Sequence, residues 1–541
     1  MRHETDNHDD SAATNKPQEY PPKKVLLPVV LSICLATFLA SLDRTIIGVA
    51  VPAISNDFGS FNDISWYESG YLLTFAALQL PMGKIYTFYR AKWAFNMFVV
   101  VFEIGSVVCA AAPNSVAFII GRAIAGIGCA GISTGGQVLF ADLLPLEKRP
   151  KYQGLLAATF GVAAIAGPLL GGVFATKTTW RWCFWINLPV GGIALVVLLL
   201  FLPAKAAPRQ QSSESLRRRF QEFDPIGTCL LTPGLILLLL ALQWGGEDNS
   251  WGTPKVLGTL IPGLVLLVAF AASQFWAGDD GTVPPRLIRK RSIAAAGVSS
   301  LGFGSALIIV TFYLPIWYQA IQGLSAVDAG IRMLAYFLTT VVFVIASGFA
   351  VTKLGYYTPW LMGGTAIMAV GCGLLATLRV NTSDATAIGF QVLFGAGMGL
   401  SLTQAINAVQ TVLPREDIPT GLTMVNFMNF VGGTVFVSVS QGVLTDTLSK
   451  ELRKQIPDLD VPAVLGQGAT DLSKAVPEDK LPVLLNAYNM GLQNVFYCAM
   501  GVSCLAFVAS CFLEWKTVKM PDAQPTEKGS TETPRSGDDQ V

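Results

Sequence analysis

The sequence predicts an all-α polytopic membrane protein with about fourteen transmembrane helices, and three observations support this fold class. Hydrophobic residues fill 52% of the 541 positions. Charged residues fill only 13%, compared with roughly 25% in an average soluble domain, and the mean hydropathy is +0.51. The apolar residues also gather in runs of about 20 or more, the length that an α-helix needs to cross the hydrocarbon core of a bilayer.

The apolar runs follow one another with polar connections between them. We predict spans 1 to 14 near residues 25–52, 65–88, 93–112, 117–142, 152–176, 181–203, 225–246, 256–278, 292–320, 328–351, 359–378, 385–413, 420–446 and 492–513. Lys and Arg are concentrated in the connections on one side, such as Arg90 and Lys92 after span 2. The positive-inside rule therefore places this side and both termini in the cytoplasm. A glycosylation sequon at Asn381 then lies on the opposite side, beside span 11.

The order of the spans divides the chain into predicted units. They are a disordered cytoplasmic tail at 1–24, an N-terminal six-helix bundle at 25–203, a basic loop with two linker helices (spans 7 and 8) at 204–291, a C-terminal six-helix bundle at 292–513, and a disordered cytoplasmic tail at 514–541. The C-terminal bundle includes a long outer loop at 447–491. Apolar residues recur at helical spacing between Leu481 and Leu492, which predicts an amphipathic helix on the outer rim.

A short repeat indicates that the two six-helix units are related. The segment Gly83-Lys-Ile-Tyr-Thr87 follows span 2, and Gly348-Phe-Ala-Val-Thr352 follows span 10, each with a basic residue close behind. The second spans of the two units then correspond when spans 7 and 8 are an insertion. Repeats of this kind place a substrate site between the two halves of a transporter.

Composition disfavours several classes of function. The net charge is +1, which gives no overall basic footprint for nucleic acid. Both histidines, His3 and His8, lie in the N-terminal tail, and none of the nine cysteines has the spacing of a zinc site. We therefore predict neither a metal nor a cofactor. The sequence also lacks a P-loop for ATP and the HExxH motif of metalloenzymes.

Four charged residues within the spans are candidates for proton coupling: Asp43, Glu68, Glu103 and Arg122. A charge near the bilayer centre costs about 2.5–3.5 kcal/mol on insertion scales, so such residues are retained for a reason. At about 1.5 Å per residue, Asp43 and Arg122 lie roughly 12–14 Å and 8 Å from the outer ends of spans 1 and 4, close enough in depth to pair. A static ion pair is an equally good interpretation of Asp43, a structural role is favoured for Glu103, and Glu68 lies near enough to the outer end to be hydrated.

The second half carries polar, uncharged groups that are candidates for a substrate cavity. They are Tyr313, Tyr318 and Gln319 on span 9, Gln404, Asn407 and Gln410 on span 12, and Asn426 and Asn429 on span 13. The three amides of span 12 recur every three residues and share one face of a helix. Such groups suit a large, mostly apolar substrate, and hydrogen bonding between helices is an equally good interpretation of each.

Span 5 carries small residues around a helix-breaking proline. They are Gly161, Gly167, Pro168, Gly171 and Gly172. Small residues let a second helix approach closely, so packing is favoured over contact with a ligand. A surface of this kind can also act as a sliding seam when two halves of a transporter rock.

Several stretches together resemble the major facilitator superfamily. The Gly-Pro-x-x-Gly-Gly stretch at 167–172 resembles its antiporter motif, and Leu-Asp-Arg-Thr-Ile-Ile at 42–47 resembles the Leu-Asp-x-Thr-Ile-Val signature of its fourteen-helix drug:proton antiporter branch. Residues 102–106, 180–189 and 242–246 are similar to stretches of fungal toxin and multidrug efflux pumps. The resemblance implies a major facilitator fold, in which two six-helix bundles flank two inserted linker helices. It covers spans 1 to 7 specifically and spans 9 to 14 more loosely.

The resemblance also implies roles for particular residues. Arg122 begins Arg-Ala-Ile-Ala-Gly, which matches the family's Arg-x-x-x-Gly in span 4 and implies a part in proton movement. Gly83, Arg90 and Lys92 are candidates for the family's conformational motif between spans 2 and 3. This loop departs from the family pattern, because Thr87 stands at the position of its acid and Arg90 at that of its second glycine. This departure argues against a gating latch at this loop that depends on an acidic residue.

From the resemblance we expect a proton-coupled efflux transporter that exports a hydrophobic small molecule, such as a toxin, a secondary metabolite or a drug. Its partners would be protons, the substrate and the bilayer, and it should act as a monomer. The plasma membrane is the expected location, with a vacuolar or vesicle membrane as the alternative. An importer or uniporter of a sugar or siderophore is the rival within transport, although the chain lacks the Pro-Glu-Ser-Pro-Arg signature of sugar porters. A membrane-embedded enzyme is the rival outside transport.

Overall fold

The computed structural model describes residues 20–60, 63–203, 223–247, 251–455 and 480–519. The predicted tails and the basic loop therefore lie mostly outside the described residues. The described chain is predominantly helical, and one isolated antiparallel bridge joins Tyr356 and Thr517. The all-α prediction is confirmed for this part of the chain.

Fourteen long helices in the described ranges, α1 to α14, correspond one to one with the predicted spans. Their bounds are Lys23–Phe58, Ile64–Phe88, Ala91–Ala110, Ser115–Leu143, Arg149–Lys177, Trp182–Phe201, Pro225–Glu247, Pro254–Ala277, Arg291–Ala320, Ala326–Leu354, Thr358–Leu375, Asp384–Val412, Ile418–Gln455 and Leu481–Ser510. α6 begins with a separate turn at Trp182–Trp185, and α12 consists of Asp384–Ser401 and Gln404–Val412. Thirteen of the fourteen are long and apolar enough to cross a membrane, and α2 is the exception.

α2 falls short in hydropathy because Glu68, Gln79, Lys84 and several tyrosines interrupt its apolar sequence. Its 25 residues still extend over roughly 37 Å at about 1.5 Å per residue, which exceeds the roughly 30 Å of the hydrocarbon core. Gln79 and Lys84 are buried. Gln79 Nε2 donates a hydrogen bond to Thr134 on α4 at 2.9 Å. Packing against other helices therefore accounts for the polarity of α2.

The last membrane helix begins earlier than predicted. Residues 481–492, expected as an amphipathic helix on the outer rim, are the first turns of α14, and α13 also continues into the segment 447–491. The prediction was wrong because Asn489 lowers the local hydropathy although it is bonded inside the protein, as is Gln493 one turn later. Asn489 Nδ2 and Gln493 Nε2 donate to the carbonyl oxygen of Leu378 at 3.0 and 2.7 Å.

The helices form two groups that meet along a seam. α1 packs against α4, α5 and α6, and α9 packs against α13 and α14. Each group has a buried apolar cluster of its own, and a further cluster continues across the seam from the first group to Ile293, Val409 and Leu422 of the second. The groups touch where 75–83 of α2 meets 419–430 of α13, and where 150–161 of α5 meets 341–352 of α10. These contacts run from the middle of the helices to the end where α2 and α10 finish and α5 and α13 begin. We call this end of the molecule the closed face.

The hairpin of α7 and α8 lies beside the seam, where α7 packs against both α2 and α13. Asp224 joins the two ends of this hairpin: its carboxylate accepts bonds of 2.8–2.9 Å from the N–H of Gly227, from Gln274 Nε2, and from the N–H and hydroxyl of Thr282. Burial alone would raise the pKa of Asp224, but these hydrogen bonds, led by that of Gln274, lower it below the usual value. Asp224 therefore stays ionised at neutral pH and holds the hairpin together.

The C-terminal tail begins later than residue 514. Residues 514–519 lie against the connection between α10 and α11, where the N–H of Val518 donates to the carbonyl oxygen of Gly355 at 2.8 Å. The hydroxyls of Tyr357 and Thr358 donate to the carbonyl of Glu514 at 3.2 and 3.1 Å. The predicted boundary was wrong because backbone hydrogen bonds, which composition does not reveal, hold these polar residues.

Candidate functional site

Asp43 and Arg122 form an ion pair between α1 and α4. Arg122 Nη1 donates to Asp43 Oδ2 at 2.5 Å, and both side chains are completely buried. The two residues were predicted to lie at similar depths, and in the structure their side chains are in direct contact. Since α1 extends beyond the hydrocarbon core at both ends, Asp43 lies roughly 22 Å from the nearer end of the helix at about 1.5 Å per residue.

The surroundings of this pair favour a charged arginine. Arg122 Nε donates to the carbonyl oxygen of Tyr67 at 2.9 Å, and the guanidinium carbon lies 4.4 Å from the centre of the Tyr71 ring. Tyr71 is itself fixed, because its hydroxyl donates to the carbonyl of Ala40 on α1 at 3.1 Å. Asp43 Oδ1 and Arg122 Nη2 have no hydrogen-bond partner among the described residues. One carboxylate oxygen of Asp43 therefore accepts no hydrogen bond from the described residues.

The two other acidic candidates differ in their surroundings. Glu68 is exposed in the first turns of α2. Glu103 points from α3 against Gly191 of α6, where its carboxyl fills the space that a side chain at 191 would need. Both carboxyl oxygens of Glu103 are buried without a hydrogen-bond partner in the part of the chain that the structure describes. The proposed proton groups therefore do not form one cluster.

The glycines of α5 bring two different helices close. A side chain at Gly167 would approach Thr45 Oγ1 on α1 to 2.2 Å, and one at Gly171 would approach the carbonyl oxygen of Ile46 to 2.9 Å. Gly161 lies on a different face of α5 and contacts Val341 of α10 across the seam. α5 is therefore the packing element predicted from its small residues, and it connects the helix that carries Asp43 to the seam. Pro168 is exposed, and Gly172 is half-buried.

The repeated glycines occupy equivalent positions on opposite sides of the seam. A side chain at Gly83 on α2 would meet Thr423, Thr420 and the carbonyl of Pro419 in the first turn of α13. A side chain at Gly348 on α10 would meet the carbonyl of Pro150 in the first turn of α5. The internal repeat thus marks the two places where the closed face is sealed by backbone contact.

The polar groups predicted for a substrate cavity lie mostly in hydrogen bonds between helices. Gln404, Asn407 and Gln410 are buried, and Gln410 Nε2 donates across the seam to the carbonyl of Gln137 on α4 at 3.3 Å. Asn426 Nδ2 donates to Gln137 Oε1 at 3.1 Å. Gln410 and Asn426 therefore help to hold the two groups together in this conformation, whereas Gln404 and Asn407 bond within the second group.

The remaining polar candidates are tied within the C-terminal group. Tyr313 donates to the carbonyl of Val437 and to Gln441 Oε1, both at 3.1 Å, and Tyr318 accepts from Gln391 Nε2 at 2.7 Å. Gln319 is half-buried and donates to a carbonyl of its own helix at 3.3 Å. Asn429 Nδ2 donates to the carbonyl of Ser300 at 3.4 Å. These bonds join α9, α12 and α13.

Two ion pairs at the closed face were not predicted. Arg286, in the short helix before α9, binds Asp417 with two hydrogen bonds of 2.6 Å, and Arg415 binds Asp142 at the end of α4 at 2.7 Å. Lys84 Nζ on α2 donates to the carbonyl of Asp280 in the same connection as Arg286, at 2.8 Å. The connection from α8 to α9 therefore bridges α2 and the turn before α13, at one of the two places where the groups touch.

A second repeat in the sequence contains Arg415 and Asp417, one partner of each of these ion pairs. Residues 144–150 read Leu-Pro-Leu-Glu-Lys-Arg-Pro, and residues 413–419 read Leu-Pro-Arg-Glu-Asp-Ile-Pro. Each forms a 3₁₀ turn at the start of the helix that packs against a repeated glycine. The shared Leu-Pro-x-Glu-x-x-Pro spacing is the signal that our sequence reasoning missed.

The other residues of the loop between α2 and α3 have structural partners. Lys92 Nζ donates to the carbonyl of Leu199 near the end of α6 at 2.7 Å, where a cation also offsets the helix dipole. Arg90 is exposed at the start of α3. Thr87, at the position of the family's acid, faces the same small cavity as Arg286 and Asp417. The carboxylate that binds Arg286 at this cavity is therefore that of Asp417, in the turn before α13, and does not come from position 87. Asn381, the sequon residue, is exposed in the connection between α11 and α12.

Neutralising Asp417 should weaken the closed face. We expect Asp417→Asn to lower transport about three- to tenfold, because a charge-assisted pair with two bonds is lost at a largely buried carboxylate. Arg286 stays charged at physiological pH, since its hydrogen bond to Asp417 raises its pKa. Asp446→Asn is the matched control, since Asp446 pairs with Lys450 on the exposed side of the same helix.

The measurement is the initial rate of transport in proteoliposomes, with the charge-swapped Asp417→Arg/Arg286→Asp as a rescue. Recovery of at least half of the lost rate by the swap supports a latch. Equal rates for Asp417→Asn, Asp446→Asn and the unmodified protein would remove Asp417 from this role.

Comparisons with known proteins agree with the geometry. A model of the Major Facilitator Superfamily matches residues 33–437. The MFS-type efflux pump MFS1 of Arthroderma benhamiae is 44% identical over 502 residues, which cover 92% of this chain and 93% of that protein. The efflux pump aflT of Aspergillus parasiticus is 42% identical over 494 residues, covering 91% and 96% respectively. The crystal structure of the human organic anion transporter MFSD10 matches with a TM-score of 0.57 at 13% identity, over 89% of this chain and all of that one, and this likeness concerns the fold.

The family match and the efflux-pump relatives, together with the long apolar helices, identify a multi-pass membrane transporter and not an enzyme. The chain belongs to the Major Facilitator Superfamily. The predicted fold class, with two six-helix bundles and two inserted linker helices, is confirmed by this membership together with the helices of the described residues.

Proposed function

We propose that this protein is a proton-coupled antiporter that exports a hydrophobic small molecule, such as a secondary metabolite, toxin or drug. The observation that carries the proposal is the completely buried pair of Asp43 and Arg122, in which Asp43 Oδ1 has no partner among the described residues. Close relatives are named efflux pumps, including one for aspyridones in Neocamarosporium betae that is 43% identical over 498 residues.

The pair suits proton coupling because its charge state and its packing depend on each other. With Asp43 ionised, the pair is neutral overall and ties α1 to α4. Protonation of Asp43 would leave the Arg122 charge without its buried counter-ion, which is costly in a low-dielectric site. The protein could relieve that cost by moving α1, and α1 packs on the glycines of α5 that reach the seam. Proton binding would thereby shift the equilibrium between the two conformations on which alternating access depends.

The efflux-pump relatives support export as the direction of transport, and the closed face identifies the conformation that the structure describes. By the positive-inside rule this face is cytoplasmic, since the connections that meet there carry Lys148, Arg149, Arg286 and Arg415. A transporter sealed at its cytoplasmic end faces outward, where substrate leaves and protons are available to bind. We place the protein in the plasma membrane with both termini in the cytoplasm and acting as a monomer.

The proposal predicts that transport follows an imposed proton gradient. Purified protein in proteoliposomes should accumulate a hydrophobic probe in an acidic lumen at least fivefold more than in a lumen at the external pH, because proton exit would drive probe entry. Suitable probes are pyrenebutyrate, pyrenebutanamide and pyrenebutylamine, which share one apolar body and differ in charge. Protein-free liposomes correct for passive partition. If every transported probe accumulates to the same extent with and without the proton gradient, antiport is excluded.

A further inference from the structure

Arg44 is a second intramembrane cation, and the proposed coupling pair does not use it. It follows Asp43 on α1 and lies roughly 21 Å from the nearer end of that helix, at about 1.5 Å per residue. Its side chain is half-buried, and its guanidinium has no hydrogen bond or ion pair to any described residue. The neighbouring carboxylate of Asp43 is bonded to Arg122 instead.

The direction in which Arg44 projects follows from the contacts of α1. Ala40 faces α2, because its carbonyl accepts the hydroxyl of Tyr71, and Thr45 faces α5, because its hydroxyl donates to the carbonyl of Ala163 at 2.9 Å. At about 100° per residue, the face that carries Arg44, Gly48 and Pro52 lies between these two directions.

This face of α1 looks toward the space between the two helical groups. α2 and α5 are the helices of the first group that pack most extensively against the second, so the side of α1 between them faces the second group and not lipid. Gly48 and Pro52 are exposed, and a side chain built at Gly48 would meet nothing within 4 Å. Arg44 therefore projects beside an open surface near the middle of the membrane.

An arginine in this setting needs a counter-charge that the protein does not supply. A charge at such depth is costly unless it is paired or hydrated, and guanidinium binds planar anions through two parallel hydrogen bonds. Asp43 is already paired with Arg122 and Glu103 packs against Gly191 of α6. Glu68 on α2 lies at a similar depth, since it is adjacent to Tyr67, whose carbonyl binds Arg122. Glu68 is exposed and forms no ion pair with Arg44 among the described contacts.

We infer that Arg44 is the anion-binding group of the substrate site, and that the exported molecule is a hydrophobic compound with a negatively charged group such as a carboxylate or an acidic enol. The apolar body of the substrate would lie against the open face at Gly48 and Pro52, and its anionic group would bind the Arg44 guanidinium. The assignment of this site to the substrate rests on the proposed export function.

The first experiment measures the local charge without any substrate. Gly48→Cys is prepared in the full chain after replacement of Cys229, Cys498, Cys504 and Cys511, which are exposed or half-exposed, by Ser. In lipid nanodiscs, the anionic reagent methanethiosulfonate ethylsulfonate should react about tenfold faster than its cationic ethyltrimethylammonium counterpart, relative to their ratio with a free thiol.

Two variants of similar size identify the source of that preference. Arg44→Gln should abolish it, whereas Glu68→Gln should leave it unchanged or increase it. The inference would be overturned if neither reagent labels Gly48→Cys, or if the ratio of the two reaction rates equals that of a free thiol. It would also be overturned if the preference for the anionic reagent survives Arg44→Gln.

The second experiment tests the substrate class with the same pyrene series. Energy transfer from tryptophan in nanodiscs should show pyrenebutyrate binding at least tenfold more tightly than the amide or the amine. Arg44→Gln should remove this difference, Arg44→Lys should retain part of it, and Arg332→Gln, which removes a cation already paired with Asp384, should keep all of it.

The two proposals fail in different ways. Equal binding of the three probes, or no binding of the acid, would overturn the anionic substrate class. Gradient-driven transport of the amide or amine that survives Arg44→Gln would overturn it too and leave the export function intact. A preserved anion preference together with transport that ignores the proton gradient would retain the site and reject the antiporter.

Discussion

Replacement of Asp43 by Asn should abolish gradient-driven transport, with at least a tenfold fall in the initial rate. The amide of the new side chain cannot exchange a proton, so the imposed gradient has no group through which to act on α1. The same change leaves the Arg122 charge buried without its counter-ion, a loss that typically costs about 3–5 kcal/mol. A fall in rate alone would therefore not separate coupling from folding.

The double variant Asp43→Asn/Arg122→Gln separates these effects. It restores charge balance, so we expect its thermal transition to return close to that of the unmodified protein while gradient-driven transport stays absent. Asp57→Asn, which removes a carboxylate from the exposed end of the same helix, serves as the matched control and should transport within about twofold of normal. Return of gradient-driven transport in the double variant would reduce the pair to a static tie between α1 and α4.

Gly167→Ala should be far more damaging than Gly172→Ala, although both lie in the same Gly-Pro-x-x-Gly-Gly stretch. A methyl group at 167 would lie 2.2 Å from Thr45 Oγ1 and 3.0 Å from the backbone nitrogen of Ile46, so α1 must move away. Overpacking of this kind costs about 1–3 kcal/mol, and it displaces the segment that carries Asp43. At Gly172 the nearest described atom to such a methyl group is Val49 Cγ1 at 3.9 Å, an ordinary contact.

We expect Gly167→Ala to lower the transport rate at least tenfold and to lower the melting temperature of the purified protein. Gly172→Ala should stay within about twofold of normal in rate, with an unchanged melting temperature. Equal effects of the two substitutions on both quantities would show that the close approach of α1 and α5 is not what the motif provides.

The sequence predicted most of the helices because each requires only a local property, a run of apolar residues of sufficient length. It failed where polarity is satisfied by distant partners. The hydropathy of α14 is lowered by Asn489 and Gln493, and both bind the carbonyl of Leu378, more than a hundred residues earlier. α2 shows the same compensation, since its buried Gln79 and Lys84 bind α4 and the connection after α8.

The candidate site was predictable to the extent that it depends on depth and helical face. Asp43 and Arg122 were expected to pair because they lie at similar depths, and they do. Helical spacing placed Gln404, Asn407 and Gln410 on one face, but it could not reveal that Gln137 on α4 would accept a bond from that face. Contacts across the seam depend on the conformation of the whole transporter, which no local pattern encodes.

The most direct test of proton antiport reverses the coupling, because linkage between two transported species is reciprocal. Proteoliposomes are loaded with a transported neutral probe, such as pyrenebutanamide, at equal pH inside and outside, and the lumenal pH is recorded as the probe leaves. Antiport predicts that the lumen acidifies, since protons enter as the probe exits, and that Asp43→Asn prevents the change while Asp57→Asn does not. A lumen that becomes alkaline would indicate symport, and a constant lumenal pH during probe exit would indicate uniport; either result would contradict the account.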